Sequence, residues 1–237
     1  MDIKETALNI LERDKINNIS IINFIENNRI LSIDIAGNSI LAKGRSDRTW
    51  IYISSYSEHE LQILQNKLTN DDVNFGAVDD WMIPILIKGK AIIWDIPVLQ
   101  FYLPDNADLP SAEYKTSQLE VKDAITIYNN YSLKEYVSIE YITERIRKGI
   151  SAGIYENNKL VSWGMTQDDG AIGFLHTLEN FRKKGYGYNV TLSLIDQLQR
   201  NHKLPFAYIE PSNKKSINLF GKLGFKENKK AHWLQIK

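Results

Sequence analysis

Cysteine is absent from this 237-residue chain, which excludes disulfides, thiolate metal ligands and a cysteine nucleophile. Net charge is absent as well, because 29 Lys and Arg balance 29 Asp and Glu. Nucleic-acid binding draws on an excess of Lys and Arg over phosphate, so no nucleic-acid partner is expected. Long apolar runs are missing too. The most apolar stretch, Trp81 to Leu103, is broken by Lys88, Lys90, Asp95 and two prolines, and no membrane span is expected. The opening Met1-Asp2-Ile3-Lys4-Glu5-Thr6 has acid where a secretion signal needs a basic start and an apolar run. These absences lead to the expectation of a soluble, cytoplasmic protein. His59, His202 and His232 lie at no ligand-like spacing, and no metal is expected.

What is present is an ordinary globular composition, 43% hydrophobic, enough for a full core. The charge is unevenly spread. Residues 1–115 hold 11 basic and 17 acidic residues, and residues 116–237 hold 18 and 12, so the halves carry −6 and +6. The joint is Leu103-Pro104-Asp105-Asn106-Ala107-Asp108-Leu109-Pro110-Ser111, polar, framed by prolines and without periodicity. The reading is an α/β domain over 1–110 and a second domain over 111–237.

The first part opens with helically spaced Leu8, Leu11, Ile21, Ile22 and Ile25. Strands are expected at Leu31–Ile35, Ser39–Lys43 and Trp50–Ser54, with Gly37-Asn38 as a hairpin turn. Ser57 caps a helix running to about Leu68. After the joint, helices are expected at about Gln118–Tyr128 and Ser138–Lys148, the second capped by Ser138. A meander follows over Ser151–Tyr155, Lys159–Thr166 and Ala171–Leu178, turning at Asn157-Asn158 and Asp168-Asp169-Gly170. A glycine loop, helix, buried strand, helix and last strand complete an α+β architecture with a mixed sheet.

The chemistry lies between Ala171 and Phe225. The apolar strand Ile172-Gly173-Phe174-Leu175-His176-Thr177-Leu178 leads through Glu179-Asn180-Phe181 into Arg182-Lys183-Lys184-Gly185-Tyr186-Gly187, and then a helix with Val190, Leu194, Ile195 and Leu198 on one face. Glycines let a backbone turn tightly against a ligand, and free amides at a helix start bind anions. With three basic residues at the same mouth, the combination suits a pyrophosphate. The Walker pattern Gly-x-x-x-x-Gly-Lys-Ser/Thr is absent, and a Rossmann fingerprint needs a third glycine.

What remains, Arg-x-x-Gly-x-Gly, resembles motif A of the GNAT superfamily of acyl-CoA-dependent N-acetyltransferases. Downstream, the strand Phe206-Ala207-Tyr208-Ile209 and the run Ser212-Asn213-Lys214-Lys215-Ser216-Ile217-Asn218-Leu219-Phe220-Gly221-Lys222-Leu223-Gly224-Phe225 resemble motif B. Ser212 or Asn213 can cap that helix, and Gly224 can end it. Lys159-Leu160-Val161-Ser162-Trp163, the approach Thr177 to Arg182, and Leu204-Pro205-Phe206 are similar to the glycine N-acyltransferase-like branch. The resemblance implies a GNAT-like mixed sheet with helices on both faces. Members of that branch carry a degenerate GNAT-like half first. Residues 30–100 suit one, through Trp50–Ser54, Glu58–Leu68, Val73–Val78 and Asp80–Ile87, with Ser54-Ser55-Tyr56-Ser57 in place of the loop motif.

The resemblance also implies roles. Leu175, His176 and Thr177 would offer backbone groups to the pantetheine arm of acetyl-CoA or another acyl-CoA. Arg182, Lys183, Lys184, Gly185, Tyr186, Gly187 and Tyr188 would hold the pyrophosphate, and Asn213 would contact the cofactor or simply cap its helix. Relatives place a base glutamate and an acid tyrosine where this chain has Ala171 and Phe220. Tyr208, His176 and Glu210 are the substitute candidates for proton transfer. The expected activity is transfer of an acetyl group to the primary amine of a small molecule or amino acid, by a monomer or homodimer. The alternatives are a non-catalytic acyl-CoA binder and a protein or peptide N-acetyltransferase.

Overall fold

Helices form where capping residues precede apolar periodicity. The computed structural model describes residues 2–237; Met1, the first residue of the amino-terminal stretch read above, lies outside them. Helix α1 (Ile3–Leu11) is capped by the Asp2 side chain, which accepts the Lys4 amide. Helix α2 (Lys15–Asn27) is capped by Asp14. Strands β1 (Arg29–Ala36) and β2 (Ser39–Arg45) form the hairpin expected at Gly37-Asn38, and β3 (Thr49–Ser54) pairs antiparallel with β2. Helix α3 (Glu58–Gln65) is capped by Ser57 but stops short of Leu68. Strand β4 (Asn74–Val78) runs parallel to β3, followed by the short α4 (Ile83–Ile87) and β5 (Ile92–Tyr102).

The second half opens with the 3-10 turn Val121–Asp123 and helix α5 (Ala124–Asn130). A helix from Gln118 does not form. Ser117 instead bridges to Gly153, and the Leu119 amide donates to Ser151 Oγ at 3.1 Å, so this stretch is extended until Glu120 and Asp123 box the turn. Ser138 does cap α6 (Ile139–Lys148), accepting the Tyr141 amide at 3.1 Å. Then come β6 (Ser151–Glu156), β7 (Lys159–Thr166), β8 (Ile172–Thr177), α7 (Tyr186–Arg200), β9 (Phe206–Ile209), α8 (Lys214–Lys222) and β10 (Lys226–Ile236).

The chain forms two compact units. The first comprises Met1–Phe101, Ile209–Lys214 and Glu227–Lys237, and the second Tyr102–Tyr208 and Lys215–Lys226. The backbone therefore crosses between them more than once, which a proline-framed linker alone does not reveal.

In the first unit the strands lie in the order β1-β2-β3-β4-β10-β5, so the last strand of the chain completes this sheet. One face packs Leu41, Ile51, Ile53, Phe75 and Leu234 against Leu61 and Leu64 of α3. The other carries Trp50, Tyr52 and Trp233 in edge contacts, with Phe24 of α2 stacked on Tyr52 at 4.3 Å.

In the second unit β6, β7 and β8 form an antiparallel sheet. Ile127, Tyr141, Ile142 and Ile146 of α5 and α6 cover the face holding Trp163 and Phe174. Val190, Leu194 and Ile195 of α7 are fully buried, each side chain stabilising the fold by roughly 1.5–3 kcal/mol. The order helix pair, three-strand meander, helix, strand, helix, strand occurs twice along the chain, once from α1 to β5 and again from α5 to β10.

Candidate functional site

Strand β8 is the terminal strand of its sheet, so its outer edge carries main-chain donors and acceptors with no strand partner in that sheet. A bulge interrupts it. Met165 pairs with Gly173 and Trp163 with His176, so three steps on β8 match two on β7. Phe174 takes up the misfit at φ +53°, a left-handed conformation that costs a bulky residue strain.

The bulge sorts the following side chains between two faces. A Cβ at Gly164 would come within 3.1 Å of Leu175 and 2.9 Å of Leu194, so Leu175 points to the α7 side. Thr177 shares that side, with its hydroxyl 2.8 Å from Ser162 Oγ. Phe174 and Leu178 pack instead with the cluster under α5 and α6. His176 joins them, its ring stacked on Trp163 at 4.9 Å and 28°. Burial, and then the charge of Arg182, hold the His176 imidazole below its ordinary pKa, so it is neutral at pH 7.

After β8 the chain makes the 3-10 turn Glu179–Phe181 and then the basic loop. Arg182 Nε donates to the Thr177 carbonyl at 3.1 Å, tying loop to strand. Lys183 and Gly185 both adopt positive φ, 63° and 80°. Glycine at 185 takes that conformation without the Cβ clash any other residue would meet. The first helical bond of α7 runs from the Asn189 amide to the Gly185 carbonyl. The amides of Tyr186, Gly187 and Tyr188 therefore have no helical acceptor and present a partial positive charge. Lys184 lies over the Phe181 ring at 5.1 Å and 3.7 Å from Glu156. Glu156 also accepts the Tyr186 hydroxyl, which pushes that phenol's pKa to about 12.

The structure gathers Leu175, His176, Thr177 and Arg182 to Tyr188 into one continuous strand–loop–helix segment. Tyr208, half-buried on β9, belongs to the same unit and meets Phe206 edge-on at 5.9 Å. Glu210 and Asn213 fall among the residues of the first unit, where the Asn213 amide donates to the Glu210 carbonyl at 2.9 Å. Ala171 is fully buried and Phe220 packs edge-on against Phe225 at 4.8 Å, so both are core positions.

Three neighbours of the segment stand outside the loop motif. Trp163 floors His176, and Glu156 holds Lys184 and Tyr186. Buried Asn189 accepts the Glu113 and Tyr114 amides at 2.6 and 3.2 Å and donates to Gly185. Trp163 stands in the run Lys159 to Trp163 quoted above and Asn189 is a polar residue beside the apolar stripe of α7, whereas Glu156 left no signal.

The first unit has nothing comparable at its corresponding turn. Three residues, Ser55-Tyr56-Ser57, join β3 to α3, against eight, 178–185, between β8 and α7. Ser57 Oγ accepts the Glu60 amide, while the Glu60 carboxylate accepts the Ser39 hydroxyl at 2.6 Å and the Asn38 amide at 3.3 Å. This helix start has its Glu60 amide capped by Ser57 and is acidic. Among the described residues no group of three or more His, Asp or Glu could hold a metal ion, and no helix is long and apolar enough to cross a membrane.

Residues 149–234 match the family model described as FR47-like protein. A crystal structure of a Drosophila protein superposes with a TM-score of 0.82 at 15% identity, covering 99% of this chain and 95% of that one. A GCN5-related N-acetyltransferase from Kribbella flavida gives 0.59 at 14% identity, covering 93% and 94%. The chain has the GNAT fold. A tandem GNAT protein from the clavulanic acid biosynthesis pathway, at 10% identity and a TM-score of 0.50, covers 92% of this chain and 87% of that one. Its tandem arrangement parallels the repeated element order described above. A curated sequence, potassium channel K1 of Plasmodium berghei, is 29% identical over 124 residues; the match spans 50% of this chain and 6% of that protein's length.

Proposed function

We propose that this protein is an acyl-CoA-dependent N-acyltransferase, moving an acetyl group from acetyl-CoA to the primary amine of a small molecule or amino acid, in the glycine N-acyltransferase-like manner. One observation carries the reading: the bulged edge strand β8 leads into a basic loop that ends at the three free amides of α7. The amides of Tyr186, Gly187 and Tyr188 suit a pyrophosphate, with Lys183 adding charge and Arg182 fixing the loop. The free edge of β8 suits the amide-bearing pantetheine arm, laid alongside Leu175 to Thr177.

The chemistry then needs little from the protein. The neutral amine bonds to the acyl carbon, the carbon–sulfur bond breaks, and the amine's proton passes to His176. A thiol of pKa about 8.5 leaves as thiolate without an obligatory acid, and positioning the two reactants supplies much of the rate. Tyr208, in the same unit as β8 and α7, is the candidate for protonating that thiolate.

Thiol release from acetyl-CoA in the presence of a panel of primary amines and amino acids tests the activity. Thermal stabilisation by CoA tests the binding site independently. The burial of Ala171 and Phe220 in core positions favours a second reading, a non-catalytic acyl-CoA binder. Stabilisation without turnover would select it, and neither stabilisation nor turnover would overturn both.

A further inference from the structure

We propose that the acceptor is an arylalkyl primary amine, held against an aromatic wall formed by Tyr131, Phe174, Trp163, His176 and Leu178. This deepens the acyltransfer reading and rests on it. The wall is layered. Trp163 and Phe174 are buried at 1% and 4% exposure, and over them lie half-buried side chains that still reach solvent. His176 stacks on Trp163, and Tyr131 lies 4.4 Å from Phe174 with 33° between the rings. Leu178 packs against the same cluster. Phe174 and His176 are alternate residues of β8 and Leu178 follows directly after its end, so the wall continues along the side opposite Leu175 and Thr177.

Two features give this surface a substrate rather than a packing role. The first is His176. Its ring nitrogens hydrogen-bond to no described residue, although the ring is half-buried, so a neutral imidazole stands ready beside the strand proposed to carry the thioester. The second is charge. The wall contains no cationic side chain. Arg145, the cation within the underlying cluster, is buried across the Tyr141 ring at 5.7 Å and 3.5 Å from Glu144. Arg182 is turned to the Thr177 carbonyl and lies 4.0 Å from Glu179. A carboxylate-bearing acceptor such as glycine would lose water here, and the cation whose charge reaches His176, Arg182, is already engaged by the Thr177 carbonyl and Glu179. An aromatic ring on a short alkyl arm would stack on the wall and present its amine to His176, and an ammonium group is attracted to ring faces on arrival. The ammonium first loses one proton to solvent; the neutral amine's nitrogen then bonds to the acyl carbon and gives its second proton to His176, and the carbon–sulfur bond breaks to release CoA thiolate.

Steady-state rates with acetyl-CoA and either 2-phenylethylamine or glycine test this. We expect kcat/KM for 2-phenylethylamine to exceed that for glycine by about tenfold or more. Tyr131→Ala should raise KM for 2-phenylethylamine by about tenfold with kcat little changed, and Tyr131→Phe should restore it. The KM for acetyl-CoA and the thermal shift given by CoA should be unaltered in both variants. Preference for glycine, or equal losses with both acceptors in Tyr131→Ala, would overturn the aromatic assignment while leaving acyltransfer intact. Absence of turnover with any amine would overturn both. If Tyr131→Ala fails to fold, the wild-type preference alone decides.

Discussion

The His176 imidazole lies nearly parallel to the Trp163 indole, 4.9 Å from it. That contact removes water from one face of a titratable ring and lowers its pKa, with the Arg182 charge acting in the same direction. If His176 accepts the amine's proton, kcat/KM should show an acid limb below the ordinary histidine value of about 6.5. Trp163→Leu should move that limb upward, by relieving desolvation. His176→Gln should abolish the limb and lower the rate about a hundredfold. A pH profile unchanged in His176→Gln would remove the residue from the proton path. The linkage to stability has its own sign. A histidine whose folded pKa is lowered contributes stability fully above its unfolded value, and that stability falls as pH drops through the folded one.

Gly185 carries a second prediction. At φ +80° a branched side chain is disfavoured by about 1–2 kcal/mol, whatever room surrounds it. Gly185→Val should therefore both destabilise the loop and weaken CoA binding by at least about tenfold, read by titration calorimetry. Gly187 is different. It has helical φ, but a Cβ there would sit 3.3 Å from Thr177 Oγ1, between strand and helix start. Gly187→Val should cost affinity with less loss of stability. CoA affinity unchanged from the wild type in both variants would refute the loop assignment.

These two positions also mark how far the sequence could be read. The loop was legible because its signal is local: glycines, basic residues and a helix stripe stand consecutively, and the structure places them as one turn. The hairpin at Gly37-Asn38 and the caps Ser57 and Ser138 were legible for the same reason. The start of helix α5 was not, because Ser117 and Leu119 are drawn into extended backbone by Gly153 and Ser151, more than 30 residues away in sequence. The partnership of His176 with Trp163 depends on a bulge that shifts β8 against β7. No periodicity in either strand announces that shift. Nor did any local pattern foretell that β10 would join the sheet of the first unit.

The first unit offers a pH-dependent tie at that last strand. His232 of β10 is engaged at both ring nitrogens, by Asp95 at 2.7 Å and by Asp80. Lys229 pairs with the neighbouring Asp79 at 2.8 Å. Burial alone would lower the His232 pKa, but the hydrogen bonds to Asp95 and Asp80 outweigh it and raise the value. Stability from this group is thus fully present below the unfolded pKa and lost as pH rises through the folded one. Melting temperature should fall across that interval in the wild type and flatten in His232→Gln. An identical pH dependence in the two proteins would show that the tie contributes nothing.

Repetition of one element order raises the question of how many CoA molecules a chain can hold, and the two helix starts answer it differently. Between β8 and α7, eight residues with two left-handed positions leave three amides open. Between β3 and α3, three residues leave no room for such a cradle, and Ser57 already occupies the Glu60 amide. Glu58 and Glu60 in the first turn of α3 add negative charge where an anion would need the opposite. Glu60 is itself fixed, since a Cβ at Gly37 would fall 2.0 Å from its Oε1. Titration of the whole chain with CoA should therefore give one site. Gly185→Val should eliminate that site without uncovering another. A second saturable site surviving in Gly185→Val would mean that the first unit binds CoA by a route other than its helix start.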